Sequence, residues 1–105
     1  MASKDSGGTK RKSDTKVKEK TQQPRKYKVV LHNDDFTPME FVLLVLEHIF
    51  FIAGAKGQRI MMAAHQTGRG VVGTYSKEVA ETKCAKAIEL ARSYGFPLLM
   101  TCEPE

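Results

Sequence analysis

A run of hydrogen-bonding residues, Asn33, Asp34, Asp35 and Thr37, follows directly on a short apolar segment, and a histidine, His65, lies further along the chain. Two carboxylates, an amide oxygen and an imidazole can accept hydrogen bonds or hold a cation. The residues that helix and strand periodicity would place around them, Leu31, Met39, Val42, Met61, Ala64 and Leu98, are all apolar. A cation-accepting group beside an apolar hole is what these residue types describe. Three chemistries fit. The first is an ordinary solvated turn ahead of a helix, since Asn and Asp are common turn formers. The second is an enzyme in which Asp34, Asp35 and His65 hold a divalent metal or act as an acid/base set. No nucleophile motif, Gly-rich phosphate loop or HExxH spacing accompanies them. The third is capture of a peptide's terminal ammonium, with the apolar hole selecting the adjacent side chain. Spacing alone leaves the turn and the amine site open.

The elements that must position this set are legible. Tyr27, Val29 and Leu31 alternate with Lys28, Val30 and His32, the pattern of a half-buried strand. Thr37-Pro38-Met39-Glu40 reads as a helix start, with Thr37 as N-cap, Pro38 at the first helical position and Glu40 closing a capping box. That helix runs to about Phe51 and is apolar on nearly every face, so it is expected to be covered on several sides. Gly54 and Gly57 mark a turn. A second helix is expected from about Lys56 to Gln66, turning Ile60, Met61 and Ala64 inward, with Met61 and His65 on one face. Gly68-Arg69-Gly70 ends it, and Val71 to Tyr75 reads as a second strand. Ser76 caps a third helix, Lys77 to about Tyr94, with Ala80, Cys84, Ala87, Ile88 and Ala91 as its apolar stripe. Gly95 closes that helix and Leu98 to Cys102 forms a last strand. The expected fold is α+β: a three-stranded antiparallel sheet packed against three helices in the order β-α-α-β-α-β.

Composition narrows the function classes. The chain has 105 residues, 17 Lys+Arg and 12 Asp+Glu, enough for one domain and too few for a large multidomain enzyme. Residues 1–26 hold nine of the basic and three of the acidic residues, a net charge of +6. Residues 27–105 hold eight basic and nine acidic, a net of −1. The first segment is expected to be a disordered basic extension, because it has almost no large apolar residue to bury; the second is the folded domain. The basic extension keeps a nucleic-acid- or ribosome-associated module open as an alternative. Against it, the extension lacks interleaved aromatics and adjoins a near-neutral domain. The most apolar stretch, Phe41 to Ile52, is interrupted by Glu47 and His48 and is too short to span a bilayer. No apolar stretch of secretory type follows the basic N-terminus. Cys84 and Cys102 have no CxxC spacing and no His partner, so buried free thiols in a cytoplasmic protein are expected, with neither metal nor cofactor. Glu78 and Lys83 read as part of a solvated helix face.

The string Tyr27-Lys28-Val29-Val30-Leu31-His32-Asn33-Asp34-Asp35-Phe36-Thr37-Pro38-Met39-Glu40-Phe41-Val42 resembles the signature of the ClpS family, bacterial adaptors of the N-end rule pathway. Ala64-His65 with Gly68, then Val79-Ala80-Glu81-Thr82-Lys83, then Pro97-Leu98 continue the match in order, so the likeness covers about residues 27–105. The resemblance favours the amine site over the ordinary turn, and it implies an adaptor rather than an enzyme. The implied role is to bind proteins beginning with Leu, Phe, Tyr or Trp and to deliver them to the ClpAP protease by docking on the N-terminal domain of the ClpA unfoldase. By the same resemblance, Asn33, His65 and one or both of Asp34 and Asp35 hold the α-amino group. Leu31, Thr37, Met39, Val42, Met61, Ala64 and Leu98 line the side-chain pocket, Met39 excluding β-branched side chains. Glu78 and Lys83 match the ClpA-docking positions, and the basic extension matches the segment used in delivery. Ala64 stands where the family commonly has Val, and His32 where it has an apolar residue. Both bear on the ranking of Leu against aromatic side chains.

Overall fold

A computed structural model describes residues 24–105; the basic extension expected over 1–26 lies outside them except for its last three residues. The element order is β1 (Lys26–His32), α1 (Met39–His48), α2 (Gly54–Thr67), β2 (Arg69–Ser76), α3 (Lys77–Ser93) and β3 (Leu99–Pro104). The sheet order is β2-β1-β3, both pairings antiparallel, so the first strand is central. This is the expected α+β architecture. The helix-facing side of the sheet places Val29, Leu31, Val72 and Met100 in one core with Phe41, Val45 and Leu46 of α1, Ile60 and Ala64 of α2, and Ala80, Cys84, Ala87 and Ala91 of α3.

Val30 falls on the opposite sheet face in the strand alternation, yet it is 0% exposed. Its ladder partners are Val71 and Thr101. On that face the Arg69 guanidinium of one edge strand donates to Glu103 Oε1 of the other at 2.7 Å, an ion pair that crosses over the central strand. The ladder to β2 slips between Val29 and Val30, leaving Val72 as the extra residue of a bulge.

The capping expectations divide. Ser76 does cap α3, its Oγ accepting from the Val79 N–H at 3.3 Å. Gly95 does close it, in the left-handed region at φ 79°, with Phe96 N–H donating to Ala91 O and Gly95 N–H to Arg92 O. The capping box on α1 does not form. The helix begins one residue later than expected, with Pro38 at the N-cap and no side-chain cap; the Thr37 N–H and hydroxyl are instead both turned back to the Asp34 carboxylate, to which they donate.

Helix α1 also stops at His48, earlier than Phe51, and keeps an open face on which Leu44 is 43% exposed. Helix α2 starts at Gly54, and Gly57 lies inside it rather than in a turn, at a point where a Cβ would touch the Ile52 carbonyl at 3.4 Å. The last strand is displaced from the expected Leu98–Cys102 to Leu99–Pro104.

Candidate functional site

Three elements converge where β1 ends. Gly68, left-handed at φ 93°, terminates α2, its N–H donating to Ala64 O. Its own carbonyl accepts the Asn33 N–H at 3.1 Å. That single bond fastens the end of the central strand to the C-terminus of α2 and sets Asn33 beside the last turn, which carries Ala64 and His65. The C-terminal end of a helix carries partial negative charge, which favours a cation there.

Between Asn33 and α1 the chain is shaped by Asp34. Its Oδ1 accepts from Phe36 N–H at 2.8 Å and Thr37 N–H at 2.7 Å, and its Oδ2 accepts from the Thr37 hydroxyl at 2.9 Å. Partial burial alone would raise the Asp34 pKa. The hydrogen bonds from Thr37 and Phe36, with help from the charge of Arg92, reverse this and leave it below the usual carboxylate range. Asp34 is therefore an oriented anion, and Oδ2 retains a lone pair. Asp35 is exposed.

These residues line one open pocket of ≈ 280 Å³. All eleven residues singled out in the sequence for amine and side-chain contact border it: Leu31, Asn33, Asp34, Asp35, Thr37, Met39, Val42, Met61, Ala64, His65 and Leu98. The polar members come from the β1–α1 loop and the end of α2, the apolar ones from β1, α1, α2 and the segment before β3. Leu98 is 0% exposed although it borders the pocket. Among the described residues no cluster of three or more His, Cys, Asp or Glu is placed to hold a metal ion.

One contributor escaped the sequence reading. Arg92, in the last turn of α3, donates from Nη1 to Phe96 O at 2.8 Å and to Leu98 O at 3.2 Å, fixing the segment that presents Leu98. A cation near a helix C-terminus ahead of a glycine was the available signal. His32 also borders the pocket, and its Nε2 lies 2.8 Å from Thr101 Oγ1. The Thr101 hydroxyl donates to Glu103 Oε2 at 3.2 Å. With that proton spent, Nε2–H is the donor to Thr101.

Glu78 and Lys83 do not belong to this pocket. They border a second, shallower one of ≈ 300 Å³ on α3, with Val79, Thr82 and Lys86. Lys83 departs from the expected solvated face: it is half-buried, and its ammonium donates to Ile49 O at 2.8 Å and lies 4.9 Å from the Phe51 ring centroid. Phe51 has φ 59°, a left-handed conformation unfavourable for a side chain of its size, and is 80% exposed. Lys83 thus closes the α1–α2 connection. Lys83→Ala is expected to lower the unfolding free energy by about 1–2 kcal/mol, the worth of a partly screened charged hydrogen bond plus a cation–π contact. Glu78→Ala, which removes only a favourable charge near the α3 N-terminus, should cost about 0.3–1 kcal/mol. Urea unfolding of both variants checks this.

The chain matches the family model for "ATP-dependent Clp protease adaptor protein ClpS" over residues 22–101. It is 50% identical over 91 residues to the ATP-dependent Clp protease adapter protein ClpS 2 of Mesorhizobium japonicum, covering 87% of this chain and 90% of that protein. It is likewise 50% identical over 91 residues to the adapter protein ClpS of Caulobacter vibrioides strain NA1000 / CB15N, covering 87% of this chain and 84% of that one. Among solved structures it is similar to Agrobacterium tumefaciens ClpS2 bound to L-phenylalaninamide, with a TM-score of 0.77 and 47% identity, covering 79% of this chain and 100% of that chain.

Proposed function

Because the chain belongs to the ClpS family of ATP-dependent Clp protease adaptors, we propose that it captures proteins by a free α-amine and a bulky hydrophobic first side chain (Leu, Phe, Tyr or Trp) and delivers them to the ClpAP protease. The observation that carries this reading is the single pocket in which an acceptor cluster adjoins an apolar hole. The ligand of the related Agrobacterium protein, L-phenylalaninamide, has the matching chemistry: a free amine, an aromatic side chain and an amide in place of the next peptide bond.

An α-amine, with a pKa of about 7.7–8.0, is charged at neutral pH and offers three donors. Asn33 Oδ1, an unprotonated His65 nitrogen and the free lone pair of Asp34 Oδ2 are the acceptors we assign to it. Asp35 and the α2 C-terminus add negative potential. An internal peptide bond offers one donor and no charge, and the chain before it would collide with the site. Leu31, Thr37, Met39, Val42, Met61, Ala64 and Leu98 receive the side chain, whose burial contributes about 1.5–3 kcal/mol. After association costs, dissociation constants in the micromolar to high-nanomolar range follow.

Delivery is assigned to docking of the α3 surface around Glu78 and Lys83 on the N-terminal domain of ClpA, with residues 1–26 as the segment engaged next and 27–105 as the adaptor domain. No enzymatic step is assigned. Among the described residues no helix is long and apolar enough to cross a membrane, and a cytoplasmic site of action belongs to the same proposal.

Fluorescence anisotropy with labelled peptides beginning with Leu, Phe, Tyr, Trp, Ile, Val and acetyl-Leu tests the reading. The first four should bind, Ile and Val should bind weakly against Met39, and acetylation or His65→Ala should weaken binding at least about tenfold, the loss of one charged hydrogen bond. Failure of every free N-terminus to bind would overturn it.

A further inference from the structure

The two cysteines, separate in sequence, meet in the fold. Cys84 belongs to the buried stripe of α3 and Cys102 to β3, and their Sγ atoms lie 3.1 Å apart as free thiols. The small side chains Ala80, Ala87 and Ala91, all fully buried on the same stripe, let α3 lie close against the sheet and bring the sulfurs together. We propose that Cys84 and Cys102 are a redox site: a hydroperoxide converts them to an intramolecular disulfide that staples α3 to β3, and thiol reductants reverse it.

The geometry asks for little. A disulfide bond is about 2.05 Å long, so each sulfur need move only about half an ångström, within reach of small side-chain rotations. Cys102 is fixed by its strand, paired with Val29 of the central strand.

Access sets the order of events. Cys102 is half-buried and Cys84 buried, so the oxidant meets Cys102 first. Its sulfur attacks the hydroperoxide, an S–O bond forms as the O–O bond breaks, and with H2O2 the leaving oxygen departs as water. Cys84 then gives up its proton and attacks the sulfenic sulfur; the S–S bond forms, the S–O bond breaks and a second water leaves. Two thiols and one H2O2 thus become one disulfide and two waters. Burial, reinforced by the hydrogen bond shared with Cys102, pushes the Cys84 thiol up to about 12. At neutral pH it is therefore protonated and slow to exchange, and the closing step should accelerate as pH rises. The product is uncharged and suits a site that disfavours thiolate.

The test is intact-mass analysis of the full chain after H2O2 treatment, followed by denaturation and thiol alkylation. The expected result is a monomer lighter by about 2 Da that takes up no alkylating agent, restored by dithiothreitol. Digestion should yield one cross-linked peptide joining Cys84 to Cys102, and the oxidised protein should melt several degrees higher, as a cross-linked loop should. Cys102→Ser should leave Cys84 fully alkylatable after the same treatment. The wild-type peptide map decides the matter even if a Cys84 variant fails to fold. Oxidation of Cys102 to sulfinic acid with Cys84 still alkylatable, or a disulfide-linked dimer in place of the internal bond, would overturn the proposal.

Discussion

Gly70→Ala is expected to destabilise the fold by about 3 kcal/mol and to weaken peptide capture with it, because the added methyl meets backbone rather than a side chain that can turn away. A Cβ at position 70 would lie 2.5 Å from Ile60 O and 3.2 Å from Ala64 N, both in α2. Strand β2 and helix α2 are packed this closely only because position 70 has no side chain. To admit the methyl, the helix must shift away from the sheet, and it carries Met61, Ala64 and His65 with it. Gly70 also pairs with Leu31, which borders the same pocket. Two neighbouring glycines are the controls. Gly68→Ala meets nothing within 4 Å but must hold φ 93°, so it should cost about 1–2 kcal/mol of backbone strain. Gly73→Ala meets only the Tyr75 side chain, which can rotate, so it should cost less than the change at 70. Urea unfolding of the three variants, with peptide anisotropy on those that fold, checks the order. Equal stability of Gly70→Ala and wild type would show that the close approach is not needed.

Gly70 also shows where sequence reading reaches its limit. Its part in ending α2 was legible as one of a glycine pair, but Gly68 alone does that work, and the reason for a glycine at 70 is a distance between two elements that no local pattern encodes. Features fixed by a few adjacent residues came through: the presence of β1, the Ser76 cap, the Gly95 close and the order of elements. The Thr37 capping box did not form because the Asp34 carboxylate holds the Thr37 hydroxyl and N–H back toward the loop. Val30 looked like a solvent-facing position, yet it is buried on the face where Arg69 reaches Glu103 across the central strand, a pairing of distant residues. The pocket residues were legible as a set because the family signature orders them along the chain. Arg92, which holds Leu98 in place through backbone carbonyls, was not. The meeting of Cys84 and Cys102 depends on how closely α3 approaches β3, and their sequence spacing carries no trace of it.

Asp34→Ala should combine loss of stability with loss of binding, and the conservative variant separates the two. The alanine change removes the acceptor for two backbone N–H groups and one hydroxyl. Given partial exposure, this is worth about 2–3 kcal/mol, close to one well-made set of charged hydrogen bonds. It frees the loop that carries Asn33 and also removes an anion from the amine site, so affinity for a Leu-initiated peptide should fall by about a hundredfold, or 2.7 kcal/mol. Asp34→Asn retains a carbonyl oxygen for the two backbone donors, so stability should drop by only about 1 kcal/mol while the lost charge still lowers affinity about tenfold. Asp35→Asn, on an exposed side chain with no hydrogen-bond or ion-pair partner among the described residues, should change affinity by less than either. The acid limb of stability gives an independent readout. The folded-state pKa of Asp34 lies below its ordinary value of 3.8, so its contribution is fully present above that value. It is lost as pH falls through the lower, folded-state value, and the alanine variant should lack this share of the acid destabilisation. If Asp34→Ala bound the peptide as tightly as wild type, the carboxylate would be neither positioning the loop nor holding the amine. If stability fell and affinity did not, its role would be confined to the fold, and the amine would rest on Asn33, His65 and Asp35.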